Sequence, residues 1–136
     1  MKNSIKDKDI NKEESLDRLI YGMEVNRVSN KGRLKTFIFF VSHSDNKILE
    51  YLPKGTKTLN HIDLSKITEV NFGKKRGNFS IIDAKTSIKF KEELCLSFFS
   101  NAESFDLVFS TAEELNQFCY AIYVLWLSEL QEDANL

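Results

Sequence analysis

The sequence predicts a mainly β protein, a seven-stranded antiparallel barrel or sandwich capped by one C-terminal helix. Between about residues 19 and 109, short segments of alternating apolar and polar residues recur between turns, as in half-buried antiparallel strands. The spacing of apolar residues then changes to three and four, which is typical of one face of a helix. A chain of 136 residues is expected to form one domain.

The C-terminal third contains the clearest strand and the only long helix that the sequence predicts. Phe105, Leu107 and Phe109 alternate with Asp106 and a valine and indicate the last strand. A helix is predicted from about Thr111 to Leu130. Its apolar face consists of Leu115, Phe118, Cys119, Ile122, Leu125, Trp126 and Leu130.

The start of this helix has the pattern of a capping box. Ser110 is followed three residues later by Glu113, so a hydroxyl and a carboxylate could satisfy free amides of the first turn. Because so apolar a helix face needs cover, we expect the helix to close one open end of the barrel, with Trp126 buried.

The first part of the chain predicts a three-stranded meander. Residues 1–14 are charged and are expected to form a polar tail. A first strand is predicted from Leu19 through Val25, after a possible helical turn. Residues 34–42 are apolar on both faces and indicate a central second strand, and residues 47–52 indicate the third.

The middle of the chain is less regular. Residues 62–72 predict one or two short strands, and residues 79–93 predict a long loop with some strand character. Alternation resumes at residues 94–98 and indicates a further strand. The domain is expected to span residues 15–131, followed by a short tail at 132–136.

The charge of the chain is distributed unevenly. The formal net charge is −1, but residues 18–91 carry fifteen basic and six acidic residues, whereas residues 92–136 carry nine acidic residues and no Lys or Arg. A basic body would attract an anionic membrane or a nucleic acid; the alternative is an ordinary lysine-rich sheet surface. A nucleic acid partner is not predicted, because exposed aromatic residues interleaved with the basic ones are not evident.

Several other classes of function are not expected. No apolar run approaches the ~20 residues of a transmembrane helix. Cys95 and Cys119 lie in apolar patterns and are expected to be small, reduced core residues. With His43 and His61 they show no metal-ligand spacing. No glycine-rich phosphate loop or catalytic constellation is present in the sequence, so neither an enzyme nor a cofactor is predicted.

Two segments resemble a known family. The final strand, capping residue and tryptophan-containing helix between Phe105 and Trp126 resemble the end of a pleckstrin homology (PH) domain. The segment from Ile62 to Gly73, followed at a distance by the strand that starts at Leu94, resembles the phosphoinositide phospholipase C type. The resemblance covers about residues 18–130 and implies the PH barrel with its capping helix.

The amino-acid usage also resembles that of proteins from malaria-type parasites, because Lys, Asn, Ile and Phe are frequent. That group includes a small acylated PH protein that senses phosphatidic acid. N-myristoylation requires a glycine directly after the initiator methionine, whereas this chain begins Met1-Lys2. Any such anchor is therefore expected upstream of this sequence.

The resemblance implies a cytoplasmic, peripheral membrane-recruitment module for signalling or membrane trafficking. It would bind an anionic phospholipid headgroup, phosphatidic acid or a phosphoinositide, through basic inter-strand loops. Family members that hold phosphoinositides use one basic residue late in the first strand and two more around the start of the second. The candidate residues are Arg27, Lys31, Arg33 and Lys35 at the first turn, Lys54 and Lys57 at the loop after the third strand, and Lys74, Lys75 and Arg76 after residue 73.

An alternative function remains open from the sequence. A protein-interaction module of the same superfold, related to phosphotyrosine-binding domains, would use the helix or a sheet edge. Four residues beside the main apolar face of the helix widen it: Tyr120, Tyr123, Val124 and Leu127. Either the N-terminal segment around Leu16, Leu19 and Ile20 covers this strip, or a protein partner does.

Overall fold

The computed structural model describes residues 14–85 and 90–135, with side chains at 14–82 and 90–125. The predicted class, mainly β with seven antiparallel strands and a C-terminal helix, is confirmed. The elements are α1 (residues 14–21), β1 (Met23–Val28), β2 (Leu34–Val41), β3 (Ile48–Pro53), β4 (Asn60–Asp63), β5 (Ile67–Phe72), α2 (Phe79–Lys85), β6 (Cys95–Ser100), β7 (Glu103–Val108) and α3 (Ala112–Asn135).

The seven strands form one continuous sheet in the order β4-β3-β2-β1-β7-β6-β5. The rings of Tyr51 on β3 and Phe105 on β7 nevertheless lie 5.4 Å apart. These strands are three positions apart, about 14 Å in a flat sheet. The sheet therefore folds over on itself, and its two edge strands, β4 and β5, are joined by a single 3-10 turn at Leu64–Lys66.

Aromatic side chains fill the interior of this curved sheet. Phe39 stacks on Tyr51 with ring centroids 5.4 Å apart, and Phe98 stacks on Phe105 at 4.9 Å. Phe118 of α3 contacts Phe39 edge-on at 5.6 Å. The helix thus closes one end of the barrel through the face predicted from its period, and Leu115, Phe118 and Ala121 are almost fully buried.

The first turn of α3 differs by one residue from the predicted capping box. The hydroxyl of Thr111 accepts a hydrogen bond from the Glu114 amide at 3.1 Å, so Thr111 is the N-cap and the Ser110–Glu113 prediction is wrong. Ser110 and Glu113 have the same three-residue spacing as Thr111 and Glu114, so the sequence alone could not decide between them. The helix continues to Asn135, beyond the predicted end at Leu130. The side chain of Trp126, whose burial was predicted, lies outside the described residues.

The predicted first strand begins too early. Residues 14–21 are helical, and Leu19 lies fully buried in the main core. Arg18 fixes the helix to α3 by donating to Gln117 Oε1 at 3.1 Å and to Glu114 Oε2 at 3.2 Å. Leu16 also packs against the core, so this segment packs beside the first turns of α3, and these contacts do not include the predicted apolar strip.

The predicted loop at residues 79–93 contains the short helix α2. Phe79 and Ile82 are three residues apart and are both buried, as expected for one helix face. They pack with Val28, Cys95 and a second valine in a smaller apolar cluster, on the sheet face opposite the main core. The loop prediction was wrong because seven residues are too few for a legible period.

Candidate functional site

The turn between β1 and β2 is held by its own serine. The Ser29 amide donates to the Arg33 carbonyl at 2.8 Å, and the Gly32 amide donates back to the Ser29 carbonyl at 2.9 Å. The Ser29 hydroxyl accepts hydrogen bonds from the amides of Lys31 and Arg33, both at 3.2 Å. The side chains of Lys31 and Arg33 are exposed, so the turn presents two cations on a hydrogen-bonded backbone.

Arg27 lies at the same end of the barrel but is already engaged. Its Nη2 donates to Glu103 Oε2 at 3.0 Å and to the Ser104 carbonyl at 2.9 Å. Its Cζ lies 4.2 Å from the centroid of the Phe105 ring, which adds a cation–π contact. The side chain is only 16% exposed. Arg27 is therefore a fixed, charge-matched group rather than a mobile one.

Tyr51 lies beside Arg27, with its ring centroid 6.0 Å from the arginine Cζ. Burial, followed by the negative charge of Glu103, raises the pKa of the Tyr51 phenol, and Arg27 partly opposes the shift. Tyr51 is therefore neutral at physiological pH, and Glu103 is the only acidic group that balances Arg27 here among the described residues. Glu103 was missed because it lies 76 positions from Arg27 in the sequence.

Lys35 and Arg33 complete the cationic end. Lys35 is the cross-strand neighbour of Arg27, and its Nζ lies 6.0 Å from the Phe37 ring. Arg33 directly precedes β2, two residues before Lys35. Across the part of the chain that the structure describes, neither Arg33 nor Lys35 forms an ion pair. We call Arg27, Lys31, Arg33 and Lys35 the hairpin cations.

Lys54 does not join the hairpin cations. Its amide donates to the Thr36 carbonyl at 3.0 Å, and its Nζ lies 3.2 Å from Glu24 Oε1. Glu24 alternates with the buried Met23 and Val25, so this ion pair lies on the outer face of the sheet. Lys57 is exposed in the β3–β4 loop.

Lys74, Lys75 and Arg76 form a third, separate group. They follow β5, where the Gly73 amide donates to the Cys95 carbonyl at 2.9 Å. The guanidinium of Arg76 binds the carboxylate of Glu69 and lies 5.2 Å from the Phe99 ring. The Lys74 amide donates to Glu92 Oε2 at 3.0 Å. Arg76 and the Lys74 backbone are thus anchored to the β5–β6 side of the sheet, and two residues later Asn78 Nδ2 donates to the Val28 carbonyl at 3.4 Å.

An apolar groove of about 640 Å³ lies between β5 and α3, and the sequence predicted only its helix side. Of the predicted partner strip, Tyr120 and Tyr123 line the groove, Val124 does not, and the side chain of Leu127 lies outside the described residues. The groove is lined by Ile67, Thr68, Glu69, Val70, Phe72, Leu96, Phe98, Asn116, Phe118, Cys119, Tyr120, Ile122 and Tyr123.

Other kinds of site were sought in the described residues. No group of three or more His, Cys, Asp or Glu side chains there is arranged to hold a metal ion. No helix in the same residues is both long enough and apolar enough to cross a membrane.

Comparison with solved structures identifies the fold. Inner Membrane Complex sub-compartment protein 1 from Toxoplasma gondii superposes with a TM-score of 0.60 at 17% identity, over 85% of this chain and 90% of that one. The PH domain from PfAPH superposes with a TM-score of 0.54 at 16% identity, over 85% and 92%. The chain has a PH-like fold.

The phospholipase C resemblance is confirmed at the level of fold. PLC21 of S. officinalis superposes with a TM-score of 0.61 at 13% identity, over 81% of this chain and 16% of the enzyme. This PH-like chain thus corresponds to a small part of that enzyme. No protein-family model and no curated protein sequence matches this chain.

Proposed function

We propose that this PH-like domain is a membrane-recruitment module that binds the phosphate of an anionic phospholipid, phosphatidic acid or a phosphoinositide, at the β1–β2 turn. One observation carries the proposal. Arg33 and Lys35 lie at the start of β2, with Lys35 directly across from Arg27, and no carboxylate among the described residues pairs with either of them. The protein would act in the cytoplasm as a peripheral membrane protein.

The four hairpin cations have different roles in this proposal. Arg33 offers a bidentate fork to phosphate oxygens and Lys35 a point charge. Lys31, at the tip of the turn, steers the domain toward the membrane. Arg27 is held by Glu103, so it stabilises this end of the barrel and adds to the local field. Each cation near an anionic surface contributes roughly 1 kcal/mol, enough in sum for reversible binding.

A simple anionic headgroup suits this geometry. Thr36, which in one register of the PH resemblance lies where arginine is common, donates its hydroxyl to Asn26 Oδ1 at 2.7 Å. It is therefore part of the opposite sheet face from Lys35. Lys54, Lys57, Lys74 and Lys75 lie outside the turn and would contribute mainly through the long-range field, which salt screens over about 8–10 Å.

Liposome co-sedimentation tests the proposal. The wild type is compared with Arg33→Glu/Lys35→Glu on vesicles that contain phosphatidic acid, phosphatidylserine or a phosphoinositide. We expect the double variant to lose binding while its melting temperature stays nearly unchanged, because exposed substitutions usually cost within about 0.5 kcal/mol. The lipid that gives the strongest binding identifies the preferred headgroup.

The control is Lys74→Glu/Lys75→Glu, which makes the same change in net charge and leaves Arg76 on Glu69. It should weaken binding less than the hairpin variant. Equal or greater loss in the control would place the site on the other side of the barrel. Wild-type binding that is unchanged in high salt would argue against an electrostatic site.

A second candidate function, protein interaction, is favoured by a different observation. The groove between β5 and α3 leaves apolar side chains uncovered on a surface away from the hairpin cations. Both uses are compatible in one domain, because the hairpin cations lie on central strands and the groove lies at the β5 edge.

A further inference from the structure

The ion pair between Glu103 and Arg27 lies at the end of the barrel that carries the β1–β2 turn. Glu103 is the first residue of β7 and alternates with the buried Phe105 and Leu107, so its side chain lies on the inner face of the sheet. Arg27 shares that face, since its Cζ lies 4.2 Å from the centroid of the Phe105 ring. The Glu103 side chain is 53% exposed and that of Arg27 16%. A ligand that reaches the hairpin cations therefore also meets this carboxylate.

The β6–β7 turn fixes the position of Glu103. Ser100 and Glu103 form the last pair of the two strands, which leaves two residues in the turn. Asn101 has a φ of +51° and Ala102 a φ of +65°, and positive φ at both central residues is characteristic of a type I′ turn. Alanine seldom adopts this conformation. The chain thus keeps a strained residue directly before Glu103, and strain of this kind is found at functional sites.

Two contacts of Arg27 do not depend on Glu103. Its Nη2 also donates to the Ser104 carbonyl at 2.9 Å, and its guanidinium lies over the Phe105 ring. Both partners belong to β7, which pairs with β1 in the sheet. Arg27 is therefore expected to stay in place when the Glu103 carboxylate is neutralised, and its charge would then be open to another anion.

The local charges indicate what Glu103 does at this site. Lys35 lies directly across from Arg27 in the β1–β2 ladder, and like charges in such positions are destabilising. Glu103 supplies a negative charge beside this pair. Carboxylate and phosphate oxygens are both strong acceptors for a guanidinium. Glu103 thus already fills a place on Arg27 that a phosphate would otherwise take.

We propose that Glu103 is an internal competitor of phosphate, which limits the β1–β2 site to a headgroup with one phosphomonoester. The inference rests on the function proposed above. A single phosphomonoester carries a charge of about −1.5 to −2 at neutral pH, which the two charges of Arg33 and Lys35 match. Lys31 lies at the tip of the turn, so a second phosphate on the same headgroup would depend on Arg27. It would then lie beside the Glu103 carboxylate, where like charges repel.

The same phosphate chemistry occurs in membrane lipids and in soluble molecules. Phosphatidic acid and glycerol phosphate each have one phosphomonoester, whereas phosphatidylinositol bisphosphate and inositol trisphosphate have more. The membrane form is favoured for this site, because an anionic surface also attracts the exposed cations that do not touch the headgroup. The experiment therefore includes both lipid and soluble phosphates.

Vesicle binding by Glu103→Gln tests the inference, beside the wild type and Glu24→Gln. The vesicles contain phosphatidic acid or phosphatidylinositol bisphosphate in neutral lipid, at matched total charge. Glu24→Gln is the matched control, because Glu24 pairs with Lys54 on the outer face of the sheet and its replacement changes the net charge equally. The measured quantity is the ratio of the affinity for bisphosphate vesicles to that for phosphatidic acid vesicles.

The wild type should prefer phosphatidic acid. We expect Glu103→Gln to raise the ratio by at least about fivefold, the effect of one unit charge close to an anionic surface. Glu24→Gln should leave it within about twofold of the wild type, because its charge is distant and screened. Soluble inositol trisphosphate should displace Glu103→Gln from vesicles but not the wild type. Displacement of the wild type by glycerol phosphate would support the same site with a soluble phosphomonoester as its ligand.

An unchanged ratio in Glu103→Gln, or a wild type that prefers the bisphosphate, would overturn the competitor role. If Arg33→Glu/Lys35→Glu still loses vesicle binding in that case, the proposed function stands without it. Absence of vesicle binding by both the wild type and Glu103→Gln would overturn the proposed function and this inference together. If thermal denaturation shows that Glu103→Gln is unfolded, Glu103→Asp replaces it. The shorter side chain withdraws the carboxylate from Arg27, so the ratio should rise in the same direction, and no rise would overturn the inference.

Discussion

At the scale of single residues, the difference between Arg27 and Arg33 shows how neighbours decide the role of a cation. Both lie near one turn and have the same chemistry. Arg27 is held between Glu103 and the ring of Phe105, and Arg33 forms no ion pair among the described residues. The first is thereby committed to structure, and the second remains available to a ligand.

Asp106 is a second residue whose partners come from distant parts of the chain. It is fully buried and accepts hydrogen bonds from the hydroxyls of Ser97 at 2.7 Å and Ser104 at 2.8 Å. Gly77 packs directly against this carboxylate, with a φ of +74°. The contact between Gly77 and Asp106 holds the segment before α2 on the sheet.

Gly77→Ala should therefore destabilise the protein by roughly 2–4 kcal/mol. The added Cβ would overlap the carboxylate of Asp106, and L-residues also resist positive φ. Gly55→Ala is the matched control, because φ is +87° there but nothing lies within 4 Å of the added Cβ; it should cost only about 1 kcal/mol. Chemical denaturation measures both. Equal losses would show that Gly77 does not pack on Asp106 as described.

The sequence predicted the hairpin cations as a group but not their partners. Four basic residues within nine positions are visible in any reading of the chain. Glu103 pairs with Arg27 only because β7 lies beside β1 in the sheet, and that neighbour relation depends on the complete strand order. Long-range pairs of this kind are not encoded in local spacing.

At the scale of elements, alternation and helical period were sufficient where a segment is long. β7 and α3 were predicted because each shows repeats of its pattern, and β2 was predicted because it is apolar on both faces. α2 and the helix at residues 14–21 each contain only about two turns; α2 was assigned to a loop, and the end of α1 was assigned to the first strand. A β-bulge in β5, between Ile67 and Glu69, is invisible in the sequence, since it consists of one unpaired residue in an otherwise ordinary strand.

The cap of α3 gives a direct test at this scale. Thr111→Ala should lower the unfolding free energy by about 1 kcal/mol, because the Glu114 amide loses its acceptor. Ser110→Ala should change it by no more than a few tenths, since Ser110 is not the N-cap. Thermal and urea denaturation of the two variants distinguish the positions. A larger loss in Ser110→Ala would restore the sequence-based assignment.

At the scale of the whole molecule, two surfaces of different character lie on different parts of one sheet. The hairpin cations belong to β1 and β2 in its centre, and the apolar groove belongs to its edge at β5. The PH-like fold does not itself select a ligand, since function depends on the groups placed on a fold. The two surfaces therefore need separate tests.

The central claim is that the β1–β2 turn contacts the membrane, and NMR of the isotope-labelled protein with vesicles tests it most directly. The vesicles contain phosphatidic acid and a lipid with a paramagnetic headgroup, which broadens amides close to the surface. The account predicts strong broadening at residues 29–35 and little at residues 74–76. Broadening at 74–76 with sharp signals at 29–35 would contradict it.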